Sequence, residues 1–547
     1  MKQLIFLLLT VFLVGCTIGP SPESPSAVPP SSTPSPAPTP LQTSSPDQSG
    51  WWDQAVFYEI FVRSFYDSNG DGIGDFNGIT QKLDYLENLG VNALWLMPIH
   101  PSPSYHGYDV INYYNVNPDY GTFTDFQNLI TEAHRRNMHV IIDLVLNHTS
   151  NRNPWFVNAN SGPQSPYRNW YIWSDTDPDY LGPLGRAWHP GLKGYYYGIF
   201  NAGMPDLNYT NPAVTAEMER VARFWLDNIG VDGFRIDAVK YLIEEGQKQE
   251  NTQSTHLWLK GFYTSYKADE AEAYTVGEVY SAGAFIAKTY TGNQMDEIFS
   301  FELAGGFVNS TLGEANTSVN SAIQFSLKDM PDGPYATFLT NHDQNRVMSV
   351  LNGSVEKAKV AAALLLTAPG TPFIYYGEEI GMEGEKPDEN IRTPMQWSSG
   401  VNAGFTSGTP WEAIGANYLK SNVTNESTDP DSLFSYYRTL ISLRNAHPAL
   451  YGYGIKLISS SDTGVYAVLR TSPSEKIMII VNLTKAPISN YGLDFKDSIL
   501  EDGSYQLQSL LDSAAAMELK VVGNSFSSYK PLPVLTPYST NIILLSQ

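Results

Sequence analysis

The chain has 547 residues, 42% of them hydrophobic and 16% charged, a globular balance that excludes wholesale disorder. Lys and Arg number 33 against 56 Asp and Glu, and the resulting net charge of −23 repels polyanions and disfavours general nucleic-acid binding. The single cysteine, Cys16, excludes an intrachain disulfide framework and any multi-cysteine zinc or iron–sulfur site.

The first sixteen residues read as an address rather than a fold. Lys2 supplies a positive start, and an apolar run follows that is shorter than the ~20 residues of a membrane span. Its end, Leu13-Val14-Gly15-Cys16, resembles the bacterial lipobox, which implies cleavage before Cys16 and lipidation of its sulfur. A plain signal peptide with an incidental cysteine is the alternative. Residues 17–50 are dominated by Pro, Ser and Thr and cannot build a core. They predict a tether reaching ~100 Å at ~3.1 Å per residue. The implied location is the outer cell envelope, with the lipid as the only membrane contact.

From residue 51 the pattern is α/β. β-rich runs at 56–62, 93–98, 140–146, 233–238, 274–279, 297–301, 336–340 and 373–376 alternate with amphipathic segments such as 123–137 and 213–229. Asn211-Pro212 opens the latter as a cap and first-turn proline. Eight such strands predict a (β/α)8 TIM barrel over residues 51–148 and 205–450, with its site at the strand C-terminal ends. Residues 149–204 are too many for one helix and lack a clear period, so an inserted domain is expected after strand three. Residues 451–547 alternate in a β manner and predict a terminal β-sandwich. The inserted domain is rich in aromatics, among them Trp155, Trp170, Tyr171, Trp173 and Trp188; some are expected to line a sugar groove and more to form core.

Three carboxylates each follow an apolar strand: Asp237 after Gly233-Phe234-Arg235-Ile236, Glu278 after Val276-Gly277, and Asp343 after Asn341-His342. Arg235 precedes Asp237 by two residues and so shares its strand face. Glycosidic bonds require such a set. One carboxylate attacks the anomeric carbon, and a protonated carboxyl gives the leaving oxygen its proton. An arginine beside the nucleophile keeps it ionised.

The motifs Asp143-Leu144-Val145-Leu146-Asn147-His148, Met204-Pro205-Asp206-Leu207-Asn208, Gly233-Phe234-Arg235-Ile236-Asp237-Ala238-Val239-Lys240, Gly277-Glu278-Val279 and Phe338-Leu339-Thr340-Asn341-His342-Asp343 stand in one order. Together they resemble glycoside hydrolase family 13, the α-amylase family. The second is similar to the intermediate group between oligo-1,6-glucosidases and neopullulanases. The resemblance implies Asp237 as nucleophile, Glu278 as general acid/base and Asp343 as transition-state stabiliser. It implies Tyr108, His148, Arg235 and His342 around the sugar, and Lys240 beyond the cut. It also implies a retaining double displacement on an α-glucan such as starch or maltodextrin; a monomer is expected.

Two calcium sites are implied as well. Asp67, Asn69, Asp71 and Asp75 offer side-chain oxygens at near-alternate positions and Ile73 a carbonyl, similar to the calcium loop after the first strand in oligo-1,6-glucosidase-like members. A metal-free Asn/Asp/Gly-rich turn is the alternative. Asn147 matches the ligand that ties the inserted domain to the barrel in many α-amylases.

Specificity signals are mixed. Ala238-Val239 and Lys240 resemble α-1,4-acting members, whereas Tyr241 stands where α-amylases usually carry histidine. Arg392-Thr393-Pro394-Met395-Gln396-Trp397 and Tyr376-Gly377-Glu378-Glu379 lean toward the oligoglucosidases, or are plain packing around strand eight. An α-amylase is the leading expectation. An α-glucosidase, an α-1,6 enzyme or a glucanotransferase on the same scaffold are the rivals, and a non-catalytic glucan-binding lipoprotein stands further off.

Overall fold

Parallel strands buried on both faces account for the near-continuous apolar runs. In the computed structural model, which describes residues 50–183, 185–331, 333–511 and 517–547, these runs form β1 (Phe57–Ile60), β2 (Ala93–Leu96), β3 (His139–Leu144), β4 (Gly233–Ile236), β5 (Tyr274–Gly277), β6 (Glu297–Ile298), β7 (Ala336–Thr337) and β8 (Thr371–Tyr375). The leader, Cys16 and the Pro/Ser/Thr-rich stretch to residue 49 lie outside the described residues. No helix among the described residues is long and apolar enough to cross a membrane.

The eight strands pair in the order β6-β5-β4-β3-β2-β1-β8-β7. A parallel bridge from Phe299 to Ala336, with Ser300 N donating to Ala336 O at 2.9 Å, closes the barrel between β6 and β7. The period of two sorts the side chains. Tyr58, Leu94, Val140, Ile142, Phe234 and Ile236 face the helix layer. Phe57, Trp95, Ile141, Val276 and Phe373 fill the barrel interior, where the Phe57 and Phe373 rings stack at 4.3 Å. Gly233 opens β4 at φ +154°, where a Cβ would lie 1.9 Å from the Tyr274 carbonyl oxygen.

The strands end earlier than their apolar runs suggest. Phe301, expected in the sixth strand, instead begins a helix, Phe301–Gly313, capped by the Ser300 side chain. The first run breaks after Ile60 into a helical turn, Val62–Phe65. Residues just beyond these ends keep single amide bonds to the neighbouring strand, as Glu278 N does to Ile236 O at 3.0 Å, and stand at the barrel mouth. Asn211 caps the helix Pro212–Arg223 as expected, and the helix continues as a π-turn over Phe224–Ile229 before Gly230 stops it at φ +83°.

Among its described residues, the excursion after β3 holds the helix Pro154–Asn160, a 3-10 turn Arg168–Trp170, a short hairpin of Leu181–Gly182 with Gly185–Arg186, and an antiparallel sheet of Trp173–Ser174, Tyr195–Tyr197 and Trp188–Pro190. Bridges His148–Asp206 and Tyr171–Leu207 tie its two ends together. The C-terminal part is a β-sandwich. A sheet carrying Val465–Thr471, Lys476–Asn482 and Thr540–Ser546 packs on one carrying Leu493–Lys496 and Ser525–Tyr529, with Leu469, Met478, Ile480, Leu493 and Phe526 between them.

Candidate active site

The inward positions are apolar toward the strand N-termini and charged toward the C-termini. Ile141 gives way to Asp143, Gly233 to Arg235 and Asp237, Val276 to Glu278, and Phe57 to Glu59. Asp143 and Arg235 are register partners on β3 and β4. Arg235 is 1% exposed and organises the floor of the site. Its Nη1 meets Asp143 Oδ1 at 2.8 Å and Asp237 Oδ1 at 2.6 Å, and its Nη2 meets Glu278 Oε2 at 2.9 Å. Asp237 and Glu278 thus stand on the two terminal nitrogens of one guanidinium. Such proximity suits the ~5–5.5 Å carboxyl separation of a retaining pair. Ala238 adopts a left-handed conformation, φ 51°, which costs a non-glycine residue ~1–2 kcal/mol. The turn points its N–H at Glu278 Oε2, 3.1 Å away.

Burial raises Glu278 above the ordinary glutamate range; Arg235 opposes the rise, and the charges of Asp237 and Asp343 add to it. Burial likewise raises Asp237 against the pull of Arg235. Asp343 differs. Burial pushes it up, but the fields of His342, Arg392 and Arg235 hold it below the usual carboxylate range. Its Oδ1 accepts from Arg392 Nη2 at 2.8 Å.

The two histidines have opposite surroundings. Burial drives His148 down to about 3, which favours its neutral form, and its Nε2 lies 3.2 Å from the Tyr108 carbonyl. His342 is raised: burial opposes its charge, but the fields of Asp343 and Glu59 outweigh it. The Tyr108 hydroxyl lies 2.7 Å from His342 Nε2 and 3.2 Å from Asp143 Oδ2.

A cleft of about 490 Å³ opens above these groups. Tyr108, His148, Asp237, Lys240, Glu278 and Asp343 line it; Arg235 and His342 lie beneath. Lys240 pairs with Glu250 at 2.9 Å. The cleft's aromatics are Tyr108, Phe200, Tyr241 and Tyr280, and none of the tryptophans of the excursion is among its lining residues. Phe156, Tyr171, Trp173 and Tyr196 pack on one another instead. Sequence reasoning missed Asp143, Glu59 and Asp388 as site residues. It weighed the Arg392 segment as packing, yet Arg392 reaches Asp343.

No group of three or more His, Cys, Asp or Glu among the described residues is arranged to hold a metal ion. Asp67 Oδ1 accepts the amides of Asn69 and Gly70 at 3.0 and 2.7 Å, and its Oδ2 that of Gly72 at 2.7 Å. Asp75 accepts from Ser68 and caps the helix Phe76–Leu89 through Gly78 N. The oxygen types suit a hard cation, although amide and hydroxyl donors, the Thr406 hydroxyl on Asp67 Oδ2 among them, already answer the oxygens of both buried carboxylates. Asn69 and Asp71 stand exposed on the same turn. At the root of the excursion, Asn147 Oδ1 and Asp206 Oδ2 are both buried acceptors without a donor. Burial and the nearby Glu244 charge push Asp206 well above the usual carboxylate range, and the Asn147 side chain lies against it. Asn147 and Asp206 thus each keep one buried oxygen unanswered at this root, which fits a cation.

A closed parallel barrel with carboxylates and arginines at the strand C-termini, an insertion after β3 and a trailing sandwich define a class, the barrel glycoside hydrolases. Residues 59–452 match the family model described as "Alpha amylase, catalytic domain". The chain belongs to the α-amylase family, glycoside hydrolase family 13. It is 43% identical to "Alpha-amylase 3" of Dictyoglomus thermophilum, over 80% of this chain and 86% of that one. It is 34% identical to an oligo-1,6-glucosidase of Heyndrickxia coagulans, over 80% of this chain and 93% of that one. The crystal structure of an α-amylase from H. orenii superposes with a TM-score of 0.79 at 38% identity, covering 90% of this chain and 99% of that one.

Proposed function

We propose that the protein hydrolyses α-1,4-glucosidic bonds of starch-like glucans with retention, working outside the cell on a lipid tether at Cys16. The observation that carries the chemistry is the shared guanidinium: Arg235 holds Asp237 and Glu278 together on the floor of the cleft. Asp237 attacks the anomeric carbon as the glycosidic C–O bond breaks, and Glu278 protonates the departing oxygen. Glu278, now a carboxylate, takes a proton from water as that water displaces Asp237 and restores the α configuration. Asp343, held anionic by His342 and Arg392, faces the positive charge that develops on the ring. The Tyr108 ring offers a stacking face.

Similarity to α-amylases and the Ala238-Val239-Lys240 sequence favour α-1,4 cleavage over the α-1,6 reading carried by the oligo-1,6-glucosidases. A time course on a blocked maltoheptaoside decides it. Mixed short oligosaccharides are expected early; inertness toward that substrate, with release of glucose from isomaltose, would sink the α-1,4 reading.

We further propose that calcium binds at the 67–75 loop and at Asn147–Asp206. Its chemistry is structural charge neutralisation, outside the reaction itself. A ligand present at ~1,000 times its Kd stabilises by ~4 kcal/mol, so excess chelator should lower Tm by ~5–10 °C and added Ca²⁺ should restore it. A Tm unmoved by chelator would contradict this.

A further inference from the structure

We propose that Glu59 is a positioning residue that holds His342 as an imidazolium beneath the reacting sugar, forming a carboxylate–imidazolium dyad behind the active site. The inference rests on the glucan-hydrolase reading above and adds to it a group on β1.

The geometry comes first. Glu59 is 2% exposed and His342 0%. Glu59 Oε1 lies 2.5 Å from His342 Nδ1. The opposite nitrogen, Nε2, lies 2.7 Å from the Tyr108 hydroxyl and 3.3 Å from Asp343 Oδ2. Both ring nitrogens therefore face a carboxylate. The Tyr108 hydroxyl gives its proton to Asp143 Oδ2 at 3.2 Å, which leaves its oxygen to accept from Nε2–H; the imidazolium then donates to Glu59 on one side and to Tyr108 on the other and turns an N–H toward both carboxylates, whereas a neutral imidazole would turn a lone pair toward one of them. No other side-chain hydrogen bond or ion pair reaches the Glu59 carboxylate among the described residues. A buried carboxylate without a counter-charge is costly, so Glu59 and the charge on His342 require each other.

Every element packed on the imidazole bears on that charge. Glu59 faces it from β1 and Asp343 from its own loop, and both favour the cation. Asp143 on β3 is close enough to feel its field. The Trp95 ring on β2 meets it edge-on at 5.5 Å, and Tyr108 lies 2.7 Å away. Burial and Arg392 oppose the charge, and the net direction is upward.

The arrangement has a use. The charge on His342 is the strongest of the forces holding Asp343 ionised against burial. An imidazolium alone would oppose the positive charge that develops on the sugar ring. Paired with Glu59, it forms a net-neutral donor, which keeps Asp343 anionic without that opposition.

Glu59→Gln keeps an acceptor for Nδ1–H but removes the charge. Full-length protein with isotope-labelled histidine gives the direct readout, with the His342 signals identified by their loss in His342→Asn. In the wild type, the His342 midpoint is expected above the ordinary imidazole range, with both nitrogens protonated below it. In Glu59→Gln its midpoint should fall by at least ~1 unit, a ~10-fold loss of proton affinity. The ratio of variant to wild-type kcat should then fall by up to ~10-fold as pH rises past the variant's lowered His342 midpoint toward the wild-type one, with KM moving less than ~3-fold. Glu59→Asp, which keeps the charge, should recover part of kcat at the higher pH.

A neutral His342 in the wild type overturns the proposal without any variant. So does an unshifted His342 in Glu59→Gln, or a loss of kcat equal at every pH, as a purely structural role would give. A charged His342 that responds to Glu59→Gln in a protein that cleaves no glucan upholds the dyad and refutes the glucan reading alone.

Discussion

Asp237→Asn is expected to lower kcat on maltodextrin by about 10⁴-fold or more, equivalent to ~5.5 kcal/mol of transition-state stabilisation. The amide keeps the shape and an acceptor for Arg235, so the loss reports chemistry. Arg235 retains Asp143 and Glu278 as partners, and the fold is expected to persist. Removing the side chain in Asp237→Ala opens room for a small anion. With azide and an α-glucosyl substrate bearing a good leaving group, a single displacement should then occur, and the product should be the β-glycosyl azide. An Asp237→Asn enzyme with more than a few per cent of wild-type activity, after deamidation has been excluded by mass, would remove Asp237 from the reaction.

Glu278→Ala is expected to separate the two half-reactions. General acid catalysis contributes ~10²–10⁴-fold, and that loss should appear in full for glucans, whose leaving oxygen needs a proton. For a glucosyl fluoride or a dinitrophenyl glucoside it should nearly vanish in the first step, because the leaving group departs unprotonated. The glycosyl-enzyme should then accumulate, and azide should release it as the α-glycosyl azide after two displacements. The opposite azide stereochemistry of the two variants assigns the two roles independently.

The pH dependence follows from the same charges. The Asp237 charge is among the forces that raise Glu278. Esterification of Asp237 by the sugar removes that charge, so Glu278 becomes more acidic when it must act as base. In the free enzyme the acid must be protonated. Hence kcat/KM should fall as pH rises through the raised value of Glu278, and that limb should be absent in Glu278→Gln.

Much of this architecture was legible because two periodicities are local. An apolar run followed by a charged residue marks a parallel strand with its mouth end, and Asp237, Glu278 and Asp343 could be placed by that pattern alone. Strand ends were not legible. Phe299 and Phe301 are both aromatic, and only pairing with β7 determines that the bridge stops at Phe299 and a helix begins two residues later. Glu59 was missed although it left a signal, one charge inside the buried run Phe57-Tyr58-Glu59-Ile60. Its partner stands 283 residues away, and nothing short of the closed barrel brings the two together. Asp143 and Arg392 were missed as site residues for the same reason, since both act through partners on other strands or loops. The aromatic abundance of the excursion was ambiguous by nature, because a stacking face and a core face are the same surface; the tryptophans there went to packing. Residues beyond the nucleophile, such as Lys240, are held by neighbours like Glu250 whose register no motif records.

Trapping the covalent intermediate tests the central assignment most directly. A ring-fluorinated α-glucosyl fluoride slows breakdown of the glycosyl-enzyme, and peptide mapping of the labelled protein locates the sugar. One sugar per chain on the peptide carrying Asp237, absent in Asp237→Asn, is the expected result. A label on another carboxylate, or turnover without any label and with release of the β-anomer, would contradict a double displacement through Asp237.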